Sequence, residues 1–286
     1  MMYSDTVFTT QIDQLKAAIV QAELIIIGAG SGLSSASGLR YDDFDTFNTL
    51  FPNYHERYGI QTINEASFFQ FPTQEEQYAF WARLISAIRY NFHAGKPYTD
   101  LHKIVRGKPH FVLTTNTDGQ FLKSGFIHDE ICSPQGDLAY FQCSSPCNNI
   151  IYPNEKMIGA MLPNILPDEF CLPTEHIPRC PQCGDYLVPN IRTGNNFVEK
   201  PWINNYAKLN ELISVCKGKN ILLLELGVGV NTPGIIRYPF EQLALQRKNT
   251  TLFRINLNMN HLTLFSKAEN AVQIQADIGK ILSMVN

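Results

Sequence analysis

A glycine-rich stretch near the N-terminus has the composition of a loop that binds an anion. Gly28-Ala29-Gly30-Ser31 follows the apolar residues 24–27, and small residues continue as far as Gly38. Glycines let a backbone turn tightly and come close to a ligand, and free N–H groups at the start of a helix attract negative charge. A plain turn between a strand and a helix is the alternative. The run of small residues leads us to expect a nucleotide-binding loop.

This loop differs from the dinucleotide fingerprint of dehydrogenases. That fingerprint has glycine at its sixth position and an acidic residue at the end of a second strand roughly 20 residues later. The chain has Leu33 at the sixth position, and Asp42, Asp43 and Asp45 lie in an aromatic segment without a strand-like pattern. We therefore expect a nucleotide-binding protein that does not transfer hydride.

Polar residues follow a second apolar run. Residues 110–114 have the pattern of a buried strand, and Thr114-Thr-Asn116-Thr-Asp118 comes at its end. Ligands of open parallel sheets bind beyond the carboxyl ends of the strands, so Asn116 and Asp118 are candidate functional residues. The alternative is that these two side chains only cap the next helix.

Two pairs of cysteines have the spacing of metal ligands. Cys143-x3-Cys147 precedes Cys180-Pro-Gln-Cys183-Gly, and the second pair has the tight turn of a zinc knuckle. Four thiolates at about 2.3 Å satisfy tetrahedral Zn²⁺ and leave no open position, so we expect a structural zinc. Four free thiols are the alternative.

Composition excludes several other classes of protein. The chain has 286 residues and a net charge of −3 without a basic stripe, so nucleic acid is not an expected partner. We find no signal peptide and no apolar run near the ~20 residues that a membrane helix needs, so we expect a cytoplasmic protein that does not bind membranes.

The elements that position these residues alternate between helix and strand. Strands are predicted at residues 24–27, 110–114, 221–226, 251–256 and 272–276, and helices at 11–21, 98–105, 202–215 and 277–284. Another helix starts at the capping box of Thr73 and Glu76 and is expected to stop at Gly95. The pattern predicts an α/β fold, a Rossmann-like parallel sheet with insertions. We assign residues 1–40, 98–137 and 202–286 to that part, 41–97 to an aromatic-rich helical insertion and 138–201 to a zinc-ribbon module.

In order and spacing, these motifs resemble those of the sirtuin family over nearly the whole chain. The first glycine turn is similar to the family's NAD loop, and residues 114–118 to its Thr-Gln-Asn-Ile-Asp signature. Gln135-Gly136 stands where the family has His-Gly, and residues 188–199 correspond to its acyl-peptide loop. Gly227-Val-Gly, Ile255-Asn256 and Asp277 resemble the remaining NAD-contacting turns.

The resemblance implies a sirtuin fold, an NAD cofactor and a set of site residues. Catalysis is assigned to Asn116, Asp118 and Gln135, with the first two at the nicotinamide end and Gln135 at the reacting ribose. Gly28 to Ser31 are assigned to the pyrophosphate, and Gly227, Asn256 and Asp277 to the adenosine half. The full set expected to contact NAD is Gly28, Ala29, Gly30, Ser31, Leu33, Ser34, Gly38, Leu39, Asn116, Asp118, Gln135, Gly227, Val228, Gly229, Asn231, Asn256 and Asp277.

Three departures from the family pattern point to a different reaction. The glycine loop is longer than usual, Arg40-Tyr-Asp-Asp-Phe44 replaces Pro-Asp-Phe-Arg, and Gln135 replaces the catalytic histidine. Imidazole accepts a proton near neutral pH, whereas a carboxamide has no accessible basic form. Losing a general base costs about 10²–10⁴-fold, so we do not expect deacylation. Cleavage of the nicotinamide–ribose bond needs positioning and electrostatics more than a base.

The same pattern resembles the macrodomain-linked (class M) sirtuins of bacteria such as staphylococci and streptococci. That resemblance implies a protein mono-ADP-ribosyltransferase acting on a lipoylated glycine-cleavage-H-like carrier, with a macrodomain hydrolase as partner. Two alternatives stay open. One is an inactive sirtuin that senses NAD or ADP-ribose, and the other is a weak deacylase in which one of the seven histidines supplies the base. Arg192 could meet an acidic acceptor, or it could be a solvated loop residue.

Overall fold

The computed structural model describes residues 5–166, 170–230, 232–258 and 270–286. The strands are β1 (Leu24–Ala29), β2 (His110–Thr114), β3 (Ile131–Cys132), β4 (Gly136–Cys143), β5 (Tyr152–Pro153), β6 (Leu187–Ile191), β7 (Ile221–Leu226), β8 (Thr250–Asn256) and β9 (Ala271–Gln275). The α-helices are α1 (Asp5–Gln21), α2 (Ser31–Ala36), α3 (Phe44–Leu50), α4 (Tyr54–Tyr58), α5 (Ile63–Phe68), α6 (Gln74–Ile85), α7 (Lys96–Val105), α8 (Gln120–Lys123), α9 (Glu155–Met161), α10 (Lys200–Val215), α11 (Arg237–Gln246) and α12 (Ile278–Val285).

Six of the described strands form one parallel sheet in the order β3-β2-β1-β7-β8-β9. The prediction of a Rossmann-like sheet is confirmed. β1 is buried along its whole length, as expected for a strand with helices on both faces. Its last residue, Ala29, pairs with Thr114 of β2 and with Leu226 of β7, so the three strands end level. β2 and β3 lie on one side of β1, and β7, β8 and β9 lie on the other side. The strand order therefore reverses between β1 and β7, and the loops that follow these two strands meet at this switch point.

Apolar side chains attach the helices to both faces of this sheet. One face carries α1, α7 and α12, whose core residues include Leu15, Tyr98 and Ile281. The other face carries α10 and α11, anchored by Leu209 and Phe240. α1, α7, α10 and α12 match the predicted helices to within a few residues, except that α1 begins earlier than predicted. No helix was predicted from the sequence at the position of α11.

The aromatic segment after the glycine turn forms three short helices, α3 to α5, followed by α6. Asp43 and Thr62 cap α3 and α5 by accepting backbone N–H groups, and the capping box of Thr73 and Glu76 is confirmed. A π-helical turn, Ser86–Asn91, extends α6. Gly95 begins the next helix rather than ending this one, because Pro97 occupies the first turn of α7.

The second described sheet, β5-β4-β6, shares its hydrophobic core with the short helices. Phe51, Tyr54 and Phe80 of the helical segment are fully buried, as are Phe141 and Leu187 of the sheet. The aromatic segment thus belongs mainly to the core. The short helices of residues 41–97 and the cysteine module, residues 138–201, therefore share one core beside the large sheet.

None of the helices in the described ranges combines the length and hydropathy needed to cross a membrane.

Tyr78 joins the two halves of this shared core. Its hydroxyl donates to the carbonyl of Leu187 at 2.9 Å from a buried position. We expect Tyr78→Phe to lower the free energy of unfolding by about 1–2 kcal/mol in urea denaturation, because a buried hydrogen bond is lost. The matched change at exposed Tyr206 should alter it by less than about 0.5 kcal/mol. Equal effects would show that the hydroxyl contributes nothing to this contact.

Candidate functional site

Two glycine turns cross at the carboxyl ends of β1 and β7. The N–H of Gly32 donates to the carbonyl of Gly227, and the N–H of Gly30 donates to the carbonyl of Leu226, each at 3.0 Å. A Cβ on Gly30 would lie 2.6 Å from the Gly227 oxygen, and one on Gly227 would lie 2.5 Å from the Cα of Gly32. At Gly30 and Gly227, the space that a side chain would need is therefore taken by the backbone of the other turn.

Several residues predicted for the first loop lie inside the fold. A Cβ on Gly28 would lie 2.5 Å from a side-chain carbon of Ile236, so this glycine permits close packing of α11 rather than approach of a ligand. Ala29, Leu33 and Leu39 are fully buried in the apolar cores. Gly38 is exposed and has a φ of +95°.

A cavity of about 610 Å³ opens beside the crossed turns. Its lining includes the following residues predicted to bind the nucleotide: Ser31, Gly227, Val228, Gly229, Asn256 and Asp277. Asn231 lies outside the described residues. Arginines 40, 237 and 254 also line the cavity, opposed by the carboxylates of Asp42 and Asp277. Arg237 and Arg254 are buried and paired with Glu225, whereas Arg40 is exposed. The cavity therefore offers the charge of Arg40 and several hydrogen-bonding groups to a polar ligand.

The polar end of β2 is tied directly to the first glycine turn. The Asn116 amide donates to the Gly30 carbonyl at 2.9 Å and to the Tyr98 hydroxyl at 3.0 Å. Ser34 donates to the Asp118 carboxylate at 2.5 Å. The structure thus brings Asn116 and Asp118 to the loop with which the sequence associates them.

Asp118 is nearly inaccessible to solvent. Burial raises its pKa, while hydrogen bonds from Ser34 and from the N–H of Gln120 oppose that rise. Asp118 therefore accepts the N–H of the first residue of α8, whose N-cap is Gly119 and has no side-chain cap. Asn116 instead bonds to the glycine turn and to Tyr98.

Gln135 lies half-buried in the turn between β3 and β4. Its carbonyl accepts the N–H of Arg192 at 3.0 Å, and the Arg192 Nε donates to the Pro134 carbonyl at 3.2 Å. This contact follows from the pairing of Gly136 in β4 with Ile191 in β6. Arg192 also pairs with the exposed Glu199 at 2.7 Å. From the sequence, Arg192 was either a solvated loop residue or a partner of an acidic acceptor. The register of β4 and β6 shows that it neighbours Gln135.

A second cavity, of about 660 Å³, lies between the helical segment and the cysteine module. Its wall is largely apolar and includes Phe68, Phe69 and Trp81, and Arg192 is its one formally charged lining residue among those described. Tyr41 lines both large cavities, and its hydroxyl lies 3.5 Å from Asp118. The two cavities therefore adjoin at Tyr41.

The four predicted metal ligands meet at one place. The sulfur atoms of Cys143, Cys147, Cys180 and Cys183 all lie within 4.8 Å of one another. The Cys143–Cys183 and Cys147–Cys180 separations are 3.5 and 3.7 Å. Tetrahedral zinc with bonds of about 2.3 Å requires sulfurs roughly 3.8 Å apart, so the cluster fits a structural Zn²⁺.

Comparison with known proteins shows relatives along nearly the whole chain. A protein ADP-ribosyltransferase from Staphylococcus aureus is 27% identical over 277 residues, covering 96% of this chain and 87% of that protein. A probable bifunctional ADP-ribose hydrolase/ADP-ribosyltransferase from Fusarium oxysporum is 27% identical over 274 residues, 92% of this chain and 46% of the fungal protein. The chain thus spans about half of that second relative. An NAD-dependent protein deacetylase 2 from Geobacillus kaustophilus is 23% identical, with 80% of each chain covered.

Solved structures share the fold at low sequence identity. Sir2Tm bound to a propionylated peptide has a TM-score of 0.60 at 16% identity, with 96% of both chains covered. A complex of Sir2, a p53 peptide and NAD⁺ has a TM-score of 0.57 at 17% identity, again with 96% of both chains covered. No protein-family model matches the chain.

The crossing of the glycine turns can be tested at Gly227, where φ is +60°. Gly227→Ala should lower the free energy of unfolding through both the left-handed backbone and the collision with Gly32. Gly218 is a matched control, since its φ is +87° and nothing lies within 4 Å of a Cβ there. Gly218→Ala should cost about 1–2 kcal/mol, and Gly227→Ala about 1–3 kcal/mol more. Equal losses in urea denaturation would mean that the turns can separate without cost.

The cysteine cluster predicts about one zinc per chain, measurable by metal analysis of the purified protein. Cys180→Ser should abolish stoichiometric zinc and lower the melting temperature, because a hydroxyl replaces a thiolate ligand. Cys171→Ser, outside the cluster, should retain the metal. Zinc-free parent protein prepared from zinc-supplemented medium would contradict the assignment.

Proposed function

We propose that this chain, which has the sirtuin fold and is similar over nearly its whole length to ADP-ribosyltransferases, transfers ADP-ribose from NAD to a partner protein and releases nicotinamide. The observation that carries the proposal is the cavity of about 610 Å³ beside the crossed glycine turns. Asn116 does not line this cavity but donates to Gly30 of the first turn. The names of the two relatives support the same activity, and so does the resemblance of the sequence motifs to those of class M sirtuins.

We propose a smaller set of residues in the first glycine turn to hold NAD. Gly28 and Ala29 lie within β1, and the N–H of Gly30 already bonds to Leu226. Of the four residues first assigned to the pyrophosphate, Ser31 therefore supplies the cavity-facing contact, together with the second glycine turn. Asn256 and Asp277 remain assigned to the adenosine half, and both line the cavity.

The reaction proposed here balances without a strong base in the chain. The bond from ribose to nicotinamide breaks with its electron pair on nicotinamide, and the acceptor forms a new bond to the ribose carbon. The acceptor's proton passes to water. We assign Gln135 to orient the ribose hydroxyls and the acceptor through its amide. Asn116 and Asp118 are assigned to the nicotinamide end. An amide at position 135 cannot perform the proton abstraction of a deacylase.

We further propose that the acceptor is a lipoylated carrier protein of the glycine-cleavage-H type, with a macrodomain hydrolase removing the mark. A lipoyl arm is a long, largely apolar chain, and the second cavity has an aromatic, largely apolar wall suited to such a group. It adjoins the nucleotide cavity at Tyr41. The fungal relative, named as both hydrolase and transferase, supports a functional link to ADP-ribose removal.

The test is transfer of labelled ADP-ribose from NAD to lipoylated carrier protein, with unlipoylated carrier as the control. We expect label on the lipoylated form, and a loss of about 10²-fold in Asn116→Ala and in Gln135→Ala. Asn249→Ala is the matched control. Asn249 is exposed and precedes the amino end of β8, so this variant should label the carrier as the parent does. Undiminished labelling in both site variants would refute the site assignment.

Two other outcomes would favour the alternatives. Binding of NAD without nicotinamide release in the presence of partners would indicate a sensor. Removal of acetyl groups from lysine peptides by the parent would indicate a deacylase. Two observations favour the deacylase alternative. One relative is named a deacetylase, and the exposed His128, a candidate base, lines a small cavity of about 20 Å³ with Asn116 and Asp118.

A further inference from the structure

Four buried charged residues form a chain beneath the nucleotide cavity. Arg254 of β8 donates twice to Glu225 of β7, at 2.7 and 2.8 Å, and once to Glu241 of α11 at 2.8 Å. The Nε of Arg237, at the start of α11, lies 3.4 Å from Glu225. None of the four is more than 5% exposed.

Stability alone is a poor explanation for this arrangement. Transferring ions from water into a protein interior costs several kcal/mol each, and well-packed apolar side chains often replace buried ion pairs without loss. The four charged residues are also close to the proposed nucleotide cavity, since Arg237 and Arg254 line it. Its location indicates a role connected with that cavity.

Arg237 connects the charges to the second glycine turn. Among the described residues its guanidinium makes one hydrogen bond, from Nη2 to the Val228 carbonyl at 2.6 Å. The amide of Asn256 approaches the same carbonyl at 3.3 Å. Val228 follows Gly227, the residue that crosses the first turn. A guanidinium is planar and carries several donors in fixed directions, so Glu225 can orient it while another nitrogen reaches Val228.

We propose that Arg237 is a positioning residue for the nucleotide. Held by Glu225, it fixes the Val228 carbonyl, so that the N–H groups of the second turn point toward the cavity and need not be ordered when the nucleotide binds. The inference rests on the proposed function, since the ligand of this cavity is taken to be NAD. It adds a residue that the expected NAD contacts do not include.

Arg237→Met tests this role. The buried Glu225 keeps Arg254 as its partner, so the variant retains a paired carboxylate. We expect its affinity for ADP-ribose, measured by calorimetry, to fall about 10-fold or more. In turnover with NAD, KM should rise by a similar factor while kcat changes less. Amide hydrogen exchange of residues 227–230 should become faster without any ligand.

Arg247→Met is the matched control. Arg247 lies at the other end of α11 and donates to the Ile213 carbonyl at 2.8 Å, so the same substitution removes the same kind of bond away from the cavity. It should lower the melting temperature and leave ADP-ribose affinity unchanged. Arg237→Lys, which keeps the charge, should bind with intermediate affinity, and it carries the test if the methionine variant fails to fold.

The failures of the two proposals can be told apart. If the parent binds ADP-ribose and Arg237→Met binds it equally well, this inference is wrong and the proposed function stands. If the parent binds neither ADP-ribose nor NAD, both are wrong. Equal losses of affinity in Arg237→Met and Arg247→Met would show a general effect of stability and would overturn the positioning role.

Discussion

The close approach of two backbones at the switch point is the constraint on which the site depends. Gly32 and Gly227 join the loops after β1 and β7 through one hydrogen bond, and no side chain fits between them. Because β1 and β7 are paired in register to their last residues, the crossing is fixed by the sheet itself. Asn116, which follows β2, donates to the carbonyl of Gly30. The ends of three adjacent strands therefore determine the shape of the first glycine turn.

The rest of the chain is arranged around this crossing in two bodies. The large sheet and its loops supply most of the cavity beside the crossed turns, with Tyr41, Asp42 and Asn64 added by the helical segment. The helical segment and residues 138–201 supply most of the apolar cavity. The antiparallel pairing of β4 with β6 carries Arg192 to Gln135, at the junction of the two bodies. A transferase must bring two substrates together, and adjoining cavities of different polarity suit that requirement.

Much of the fold was predictable from sequence because its strands are continuous apolar runs. Residues 24–27, 111–114 and 221–226 are buried, and apart from Thr114 and Glu225 they are apolar, so local composition is enough to identify such strands. The cysteine spacing likewise predicted a cluster that the structure brings together. Contacts between distant segments were not predictable, because the close approach of Gly30 to Gly227 and the position of Arg192 beside Gln135 depend on strand register. Gly28 shows the same limit, because its reason for being glycine is Ile236 on another element.

The common core of the helices and the cysteine module has a consequence for how this protein can diverge. The walls of the apolar cavity come from Ile63, Leu84 and Leu138, which belong to that core, whereas the nucleotide cavity is built on the cores of the large sheet. Among the described residues, Tyr41 is the one that lines both cavities. We therefore expect substitutions away from Tyr41 in the apolar half to change which group that cavity accommodates, while the lining of the cavity beside the crossed turns stays the same.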